Sequence, residues 1–406
     1  MHTLVTFLGK ARDNPQTGYR TANYRFPDGL HTTAFFGLEL ARFLKPDRVV
    51  MLGTTGSQWD LLAENLNPAG EDDEKVKLLT QAVNEGTLDQ MLLDGLAPLL
   101  TRAVGSEVIP CLIPYGADLA EQMAILEAIA RAVPRGEVSF DVTHGLRHLG
   151  MVGFLSAFML ERINKLDVKG LWYGALDMTA DGVTPVLRLD GLSAVQAWIE
   201  ALDKFDATGD YGVFAQLLVN DGVPAQVAQQ LQEAAYHERH FNLTEAASRL
   251  RSALPELEKP LSGASALFQN QLRKRLEWAQ APELGERQRK PAYQYLKRGD
   301  FVRAAIFGWE ALITKACQEY GLDPSNFQEG RRSAQEQLKE NMTLRTVPAW
   351  KREAFQTLRE LRNALAHGDQ PRNKRHRRLL LNPAELQREI EACLQRLLLG
   401  SQACEP

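Results

Sequence analysis

The chain has 406 residues, 44% hydrophobic and 24% charged, ordinary globular values that allow two or three domains with real cores. Its four cysteines, Cys111, Cys317, Cys393 and Cys404, are widely spaced with no CxxC pair, which argues against a zinc ribbon or a disulfide framework and fits a reducing compartment. The net charge of −4 hides an asymmetry: from Glu286 onward there are 22 Lys/Arg against 15 Asp/Glu, a balance of +7, and before it 25 against 36, a balance of −11. A basic last third suits a chain that meets a polyanion at one end, although solvated helix faces give the same count.

The opening "MHTLVTFLGK" lacks the basic and apolar regions of a signal peptide, and no apolar run approaches 18 residues, so a soluble, cytoplasmic protein is expected. "HTLVTFLG" reads as a buried strand ending at Gly9. "HTTAFFGLELARFLKP" (31–46) reads as a helix, and "DRVVMLGTTGS" as a second buried strand running into a hydroxyl-rich loop before the helix "QWDLLAENL". A helical stretch over 76–104 leads to the strand "EVIPCLIPYG", then helix "LAEQMAILEAIARAVP", strand "EVSFDVTHG", helix "LRHLGMVGFLSAFMLERI" and strand "DVKGLWYGAL". "MTADGVTPVLRL" (178–189) reads as a terminal hairpin. Continuous apolar strands alternating with helices predict an α/β Rossmann-like domain with a mainly parallel sheet, covered on both faces. Beyond Gly191 strand patterns disappear, and segments such as "FVRAAIFGWEALITKACQEYG" and "WKREAFQTLRELRNALAHG" carry apolar residues at helical spacing, predicting an all-α region.

Two clusters carry chemistry. The first lies at strand ends: Gly9 and Lys10; Thr54, Thr55, Gly56 and Ser57; and Thr143, His144, Gly145, Leu146 and Arg147. Backbone N–H groups, hydroxyls, cations and helix N-termini suit phosphates, and ligands of such sheets sit at the carboxyl ends of strands. Ordinary turn residues would present the same letters, and neither GxGxxG nor GxxxxGK[ST] is present. His144 and His148 lack a matching carboxylate or thiol cluster and make a poor metal site.

The second cluster is "RELRNALAHGDQPRNKRHRR". Asn363 and His367 are four apart on one helix face, Arg362 is adjacent, and Gly368 stands where a C′ glycine ends a helix. An arginine beside a histidine in a last helical turn suits phosphodiester cleavage, one neutralising the phosphorane and the other moving protons. RNA brings its own 2′-hydroxyl nucleophile, so no metal is obligatory, and "PRNKRHRR" could hold its backbone electrostatically. The pattern alone is weak, because charged helix ends are common. "YHERHFN" (236–242) is a polar helix end in which the histidines are solvated or capping, and His2, His31 and His376 lack partners in sequence.

The combination of "FLGK", "YRTANYRF", "GTTGS" and "DVTHGLRHL" with a downstream "RNALAH" resembles the CARF–HEPN ribonucleases of type III CRISPR systems, the Csx/Csm group. The resemblance implies a CARF domain over residues 1–190, a helical connector over 191–285 and a HEPN ribonuclease domain over 286–406. It implies a homodimer, or a higher oligomer, that binds a cyclic oligoadenylate, the tetra-adenylate being the commoner family activator. Binding would switch on metal-independent cleavage of single-stranded RNA in antiviral defence, with no cofactor in the catalytic step and no membrane. Arg362 and His367 would be the catalytic pair and Asn363 their support. Gly9, Lys10, Thr54 to Ser57 and Thr143 to Arg147 would line the activator pocket. Two alternatives stay open: a CARF sensor with a non-catalytic HEPN scaffold, and an unrelated nucleotide-dependent α/β enzyme whose site is "DVTHGLRH".

Overall fold

The computed structural model describes residues 1–10, 21–133, 135–368, 370–371 and 373–400; Tyr19 and Arg20 of "YRTANYRF", Arg372 of "PRNKRHRR", and Cys404 lie outside them. The chain divides into two compact units, Met1–Ser193 and Ala194–Pro406.

The first unit holds eight strands: β1 His2–Leu8, β2 Ala22–Phe26, β3 Gly29–Thr33, β4 Arg48–Gly53, β5 Glu107–Leu112, β6 Glu137–Asp141, β7 Asp167–Gly174 and β8 Val183–Arg188. They form one sheet in the order β3-β2-β8-β7-β6-β1-β4-β5. β7, β6, β1, β4 and β5 are parallel, whereas β8 is antiparallel to β7 and β3 to β2. The helices are α1 Phe36–Leu44, α2 Trp59–Leu66, α3 Asp73–Glu85, α4 Gln90–Val104, α5 Leu119–Ala132 and α6 Arg147–Ile163. Successive residues of the central strands enter opposite cores, as the two-residue period of a strand requires. Leu4, Leu8, Val49 and Met51 join Phe36, Trp59 and Leu93 on one face. Val5, Phe7, Val50 and Leu52 join Ile125, Ile129, Leu149 and Leu160 on the other. Both faces of the sheet are therefore covered, which is why its strands read as unbroken apolar runs.

Three expectations about local structure are corrected. Residues 29–33, partly inside the helix expected over 31–46, form β3 paired with β2, and α1 begins only at Phe36. The helical stretch over 76–104 is two helices, because Gly86 takes φ +67° and the Asp89 carboxylate caps the N–H of Leu92 at 2.9 Å. The terminal hairpin over 178–189 reduces to a bridge between Ala180 and Val183; β8 pairs instead with β7 and, in parallel, with β2.

The second unit is helical, starting within α7 Asp190–Thr208. It continues with α8 Ala215–Asn220, α9 Ala225–Arg239, α10 Leu243–Glu258, α11 Ser265–Leu276, α12 Leu284–Lys297, α13 Phe301–Glu319, α14 Ser333–Asn341, α15 Ala349–His367, α16 Lys374–Leu379 and α17 Pro383–Leu394. One apolar cluster runs through it from Trp198 to Leu397. The α13 helix is its axis, burying residues on every side, as a helix apolar all round must. Gly308 on α13 leaves the space into which the Leu394 side chain of α17 packs. The "HERH" segment contributes a structural carboxylate: Glu238 is buried and accepts the phenol O–H groups of Tyr211 at 2.6 Å and Tyr295 at 2.5 Å. Burial raises the Glu238 carboxyl above its ordinary range, opposed by those bonds and by Arg298 and Arg303.

Candidate functional site

In the first unit, after the β2–β3 edge, the chain lays β4 and then β5 on one side of β1 and returns to place β6 on the other. This reversal opens a crevice at the carboxyl ends of neighbouring strands, the usual ligand position in such sheets. The loops 9–10, 54–57 and 143–147 follow β1, β4 and β6 and so meet there.

The loop hydroxyls do more structural work than the sequence shows. Ser57 Oγ donates to the Leu8 carbonyl at 2.7 Å and accepts the Thr54 N–H at 2.9 Å. The Gln58 N–H donates to the Gly9 carbonyl at 3.1 Å, and the Trp59 indole N–H to the Thr54 carbonyl at 3.1 Å. Thr54 and Ser57 are thus buried braces that hold the 54–57 loop against the end of β1; Thr55 and Gly56 are half-buried at its tip, and Lys10 is exposed. Thr143 is engaged as well, its Oγ1 accepting the Gly174 N–H at 2.8 Å and its own N–H donating to Asp141 at 2.8 Å.

Asp141 is fully buried and accepts Thr6 Oγ1 at 2.7 Å. The α1 helix lies so close to this pair that a Cβ on Gly37 would overlap Thr6 Oγ1. Burial raises the Asp141 carboxyl, opposed by His144 and by the bonds from Thr143 and Thr6. Burial lowers the His144 imidazole, partly offset by Asp141. Its Nε2 lies 3.3 Å from the Phe36 N–H and accepts from it at the start of α1, as a neutral ring can. Gly145 turns the chain at φ +98°, and Leu146 and Arg147, both exposed, open α6. Helices α1, α2 and α6 start with no side-chain cap, whereas α4 and α5 are capped by Asp89 and Asp118. The first N–H of α1 is taken by His144 and that of α2 by the Ser57 carbonyl at 2.9 Å, so it is the N-terminus of α6 that offers its positive dipole end to an anion.

Sequence reasoning missed Tyr115. Its hydroxyl accepts from Thr55 Oγ1 at 3.3 Å, and its carbonyl oxygen accepts from His148 Nε2 at 2.7 Å. It therefore joins the loop after β4 to the first turn of α6. The available clue was "PYG", an aromatic next to a glycine just past a buried strand.

In the second unit α15 carries the other cluster. Gly368 closes it at φ +71°, its N–H donating to the Ala364 carbonyl. His367 is exposed in the last turn and Asn363 is half-buried one turn earlier. Arg362 lies with its guanidinium 5.0 Å from the Trp309 ring centroid, and its Nε is buried without a hydrogen-bond partner among the described residues. Burial lowers the Arg362 guanidinium somewhat, opposed by Glu310. At about 100° per residue, Asn363 and His367 project about 40° apart, and Arg362 and His367 about 140° apart. Alongside, the α16 histidine His376 is buried, with Nδ1 2.8 Å from Glu360 and Nε2 3.2 Å from Thr357, both on α15.

The first unit thus defines a Rossmann-like α/β domain with an anion-ready face at its strand ends. Residues 3–176 match the family model described as the CARF domain of the CRISPR system endoribonuclease Csx1. Over that range the N-terminal unit is similar to a CARF domain, and the chain is similar to CRISPR-associated proteins. CRISPR-associated protein MJ1674 of Methanocaldococcus jannaschii is 24% identical over 285 residues, covering 64% of this chain and 44% of that protein; the chain spans less than half of that relative's length. Among solved structures, Enterococcus italicus Csm6 bound to cyclic hexa-2′-fluoro-hexa-dAMP aligns over 99% of this chain and 95% of that one, with 14% identity and a TM-score of 0.39.

Proposed function

We propose that the protein is a cytoplasmic, cyclic oligoadenylate-activated endoribonuclease, with a CARF sensor in its first unit and a HEPN nuclease within its second. The residues 191–285 serve as helical connector and 286–406 as the nuclease domain. The observation that carries the nuclease reading is the end of α15, where His367 stands exposed in a last turn closed by Gly368, one turn from Asn363. An exposed imidazole at that position can hand a proton to a leaving 5′-oxygen. Because Arg362 projects away from His367 on its own helix, a site using both draws on two copies of α15, which supports a homodimer. Exposed apolar pairs at Met151 and Leu155 on α6, and Leu119 and Met123 on α5, offer a surface for a second copy. The activator's phosphates are assigned to Gly9, Lys10, Thr54 to Ser57 and Thr143 to Arg147. Within that set Lys10, Arg147 and the N-terminus of α6 would meet the anion, while the Thr54 and Ser57 hydroxyls support the loop.

The test is cleavage of single-stranded RNA in EDTA, with and without cyclic tetra- and hexa-adenylate. The wild-type chain should cut only with activator and leave a 2′,3′-cyclic phosphate. His367→Ala should lose about 10²-fold or more in rate while still binding the ring. Cleavage that survives His367→Ala overturns the nuclease assignment. Activator binding without cutting in any variant leaves a sensor with a non-catalytic helical unit.

A further inference from the structure

Tyr115 stands just past β5, and its side chain is 47% exposed. Two neighbours fix it. On one side its hydroxyl accepts from Thr55 at 3.3 Å beside Gly56, where a Cβ would lie 2.7 Å from the phenol oxygen. On the other its carbonyl accepts from His148 at 2.7 Å, and the next residue, Gly116, turns at φ +76° with His148 Nε2 3.2 Å from where its Cβ would be. Both glycines are needed: any side chain at 56 displaces the phenol, and one at 116 is strained and presses on the imidazole. The ring is thereby held at the rim of the 54–57 loop and the α6 N-terminus while much of its surface faces water. Every base offers a π face, the larger purines stacking more strongly, and an aromatic ring beside an anion cradle is the usual platform for one.

We infer that Tyr115 is the base-recognition residue of this face, its ring stacking on a purine of the bound ligand while the adjoining N–H groups take the phosphates. The inference rests on the oligoadenylate-sensor reading and adds what that reading leaves open, a source of base preference. Phosphate contacts position a ligand but do not distinguish its bases. A stacking platform favours the larger purine.

The experiment is calorimetric titration of the full chain with cyclic tetra-adenylate, cyclic hexa-adenylate and uridylate rings of the same two sizes. The variants are Tyr115→Phe and Tyr115→Leu. The wild type should prefer adenylate over uridylate, and Tyr115→Phe, which keeps the ring, should retain that preference. Tyr115→Leu should weaken adenylate binding about 10-fold or more and uridylate binding by clearly less, narrowing the preference. An equal loss for both bases overturns the inference, since it marks a loop brace rather than a platform. So does an unchanged adenylate affinity in Tyr115→Leu. A wild-type chain that binds no ring overturns the sensor reading, a result distinct from either of those.

Discussion

At the scale of single residues, His144 shows how position decides chemistry. Two histidines in "DVTHGLRH" invite a catalytic reading, yet Nε2 of His144 accepts the first N–H of α1, and burial lowers the pKa of the ring against the opposing pull of Asp141. Its folded pKa lies below 6.5, so protonation favours the unfolded chain. The stability it contributes is complete above pH 6.5 and declines as pH falls through 6.5 toward the lowered value. Melting of the α/β unit between pH 7 and pH 5 should therefore drop further in the wild type than in His144→Gln, which keeps an acceptor and does not titrate. Parallel melting curves for the two proteins would refute this role. Gly37 is the counterpart in shape: with no Cβ, it lets α1 settle on the Thr6–Asp141 pair, bringing the Phe36 N–H to His144.

At the scale of elements, α15 and α16 are joined through His376, which bonds Glu360 and Thr357 from inside the unit. Arg375 adds ion pairs at 2.9 Å to Glu353 on α15 and to Glu389 on α17. Part of the basic run "PRNKRHRR" is thus structural. His376→Ala should cost about 1–3 kcal/mol in denaturant unfolding, the range for orphaning buried polar partners, with His376→Gln recovering part of it. An unchanged midpoint would show α16 held by other contacts. Elements of this kind set the limit of legibility. The parallel core and α15, down to its closing Gly368, were readable because burial on two faces and helical spacing mark the chain locally. The partners of His376 were not, because they lie 16 and 19 residues away on another helix. Neither was β3, whose Gly29–Thr33 segment becomes a strand only through β2, itself anchored to β8. For the same reason the sequence offers Thr54 and Ser57 as free hydroxyls, when their bonds turn inward to Leu8 and to each other's loop.

At the scale of the whole molecule, the first unit contains a complete sheet and both of its apolar cores before α7 begins at Asp190. Residues 1–189 alone should unfold cooperatively and, on the proposed reading, bind an oligoadenylate ring; a broad, non-cooperative melt by circular dichroism would show that this unit depends on the rest of the chain. The pairing of β2 with β8 joins residues 23–25 to 183–185, and it has a consequence in time. A ribosome adding about 5–20 residues per second reaches β8 some 8 to 30 s after releasing β2. For that interval the β2–β3 hairpin has no sheet to join, and a two-stranded hairpin is marginal in water. The edge of the sheet that comes first in the chain is therefore the last to be built, which makes the newborn protein, rather than the finished one, the state most exposed to strand-mediated aggregation.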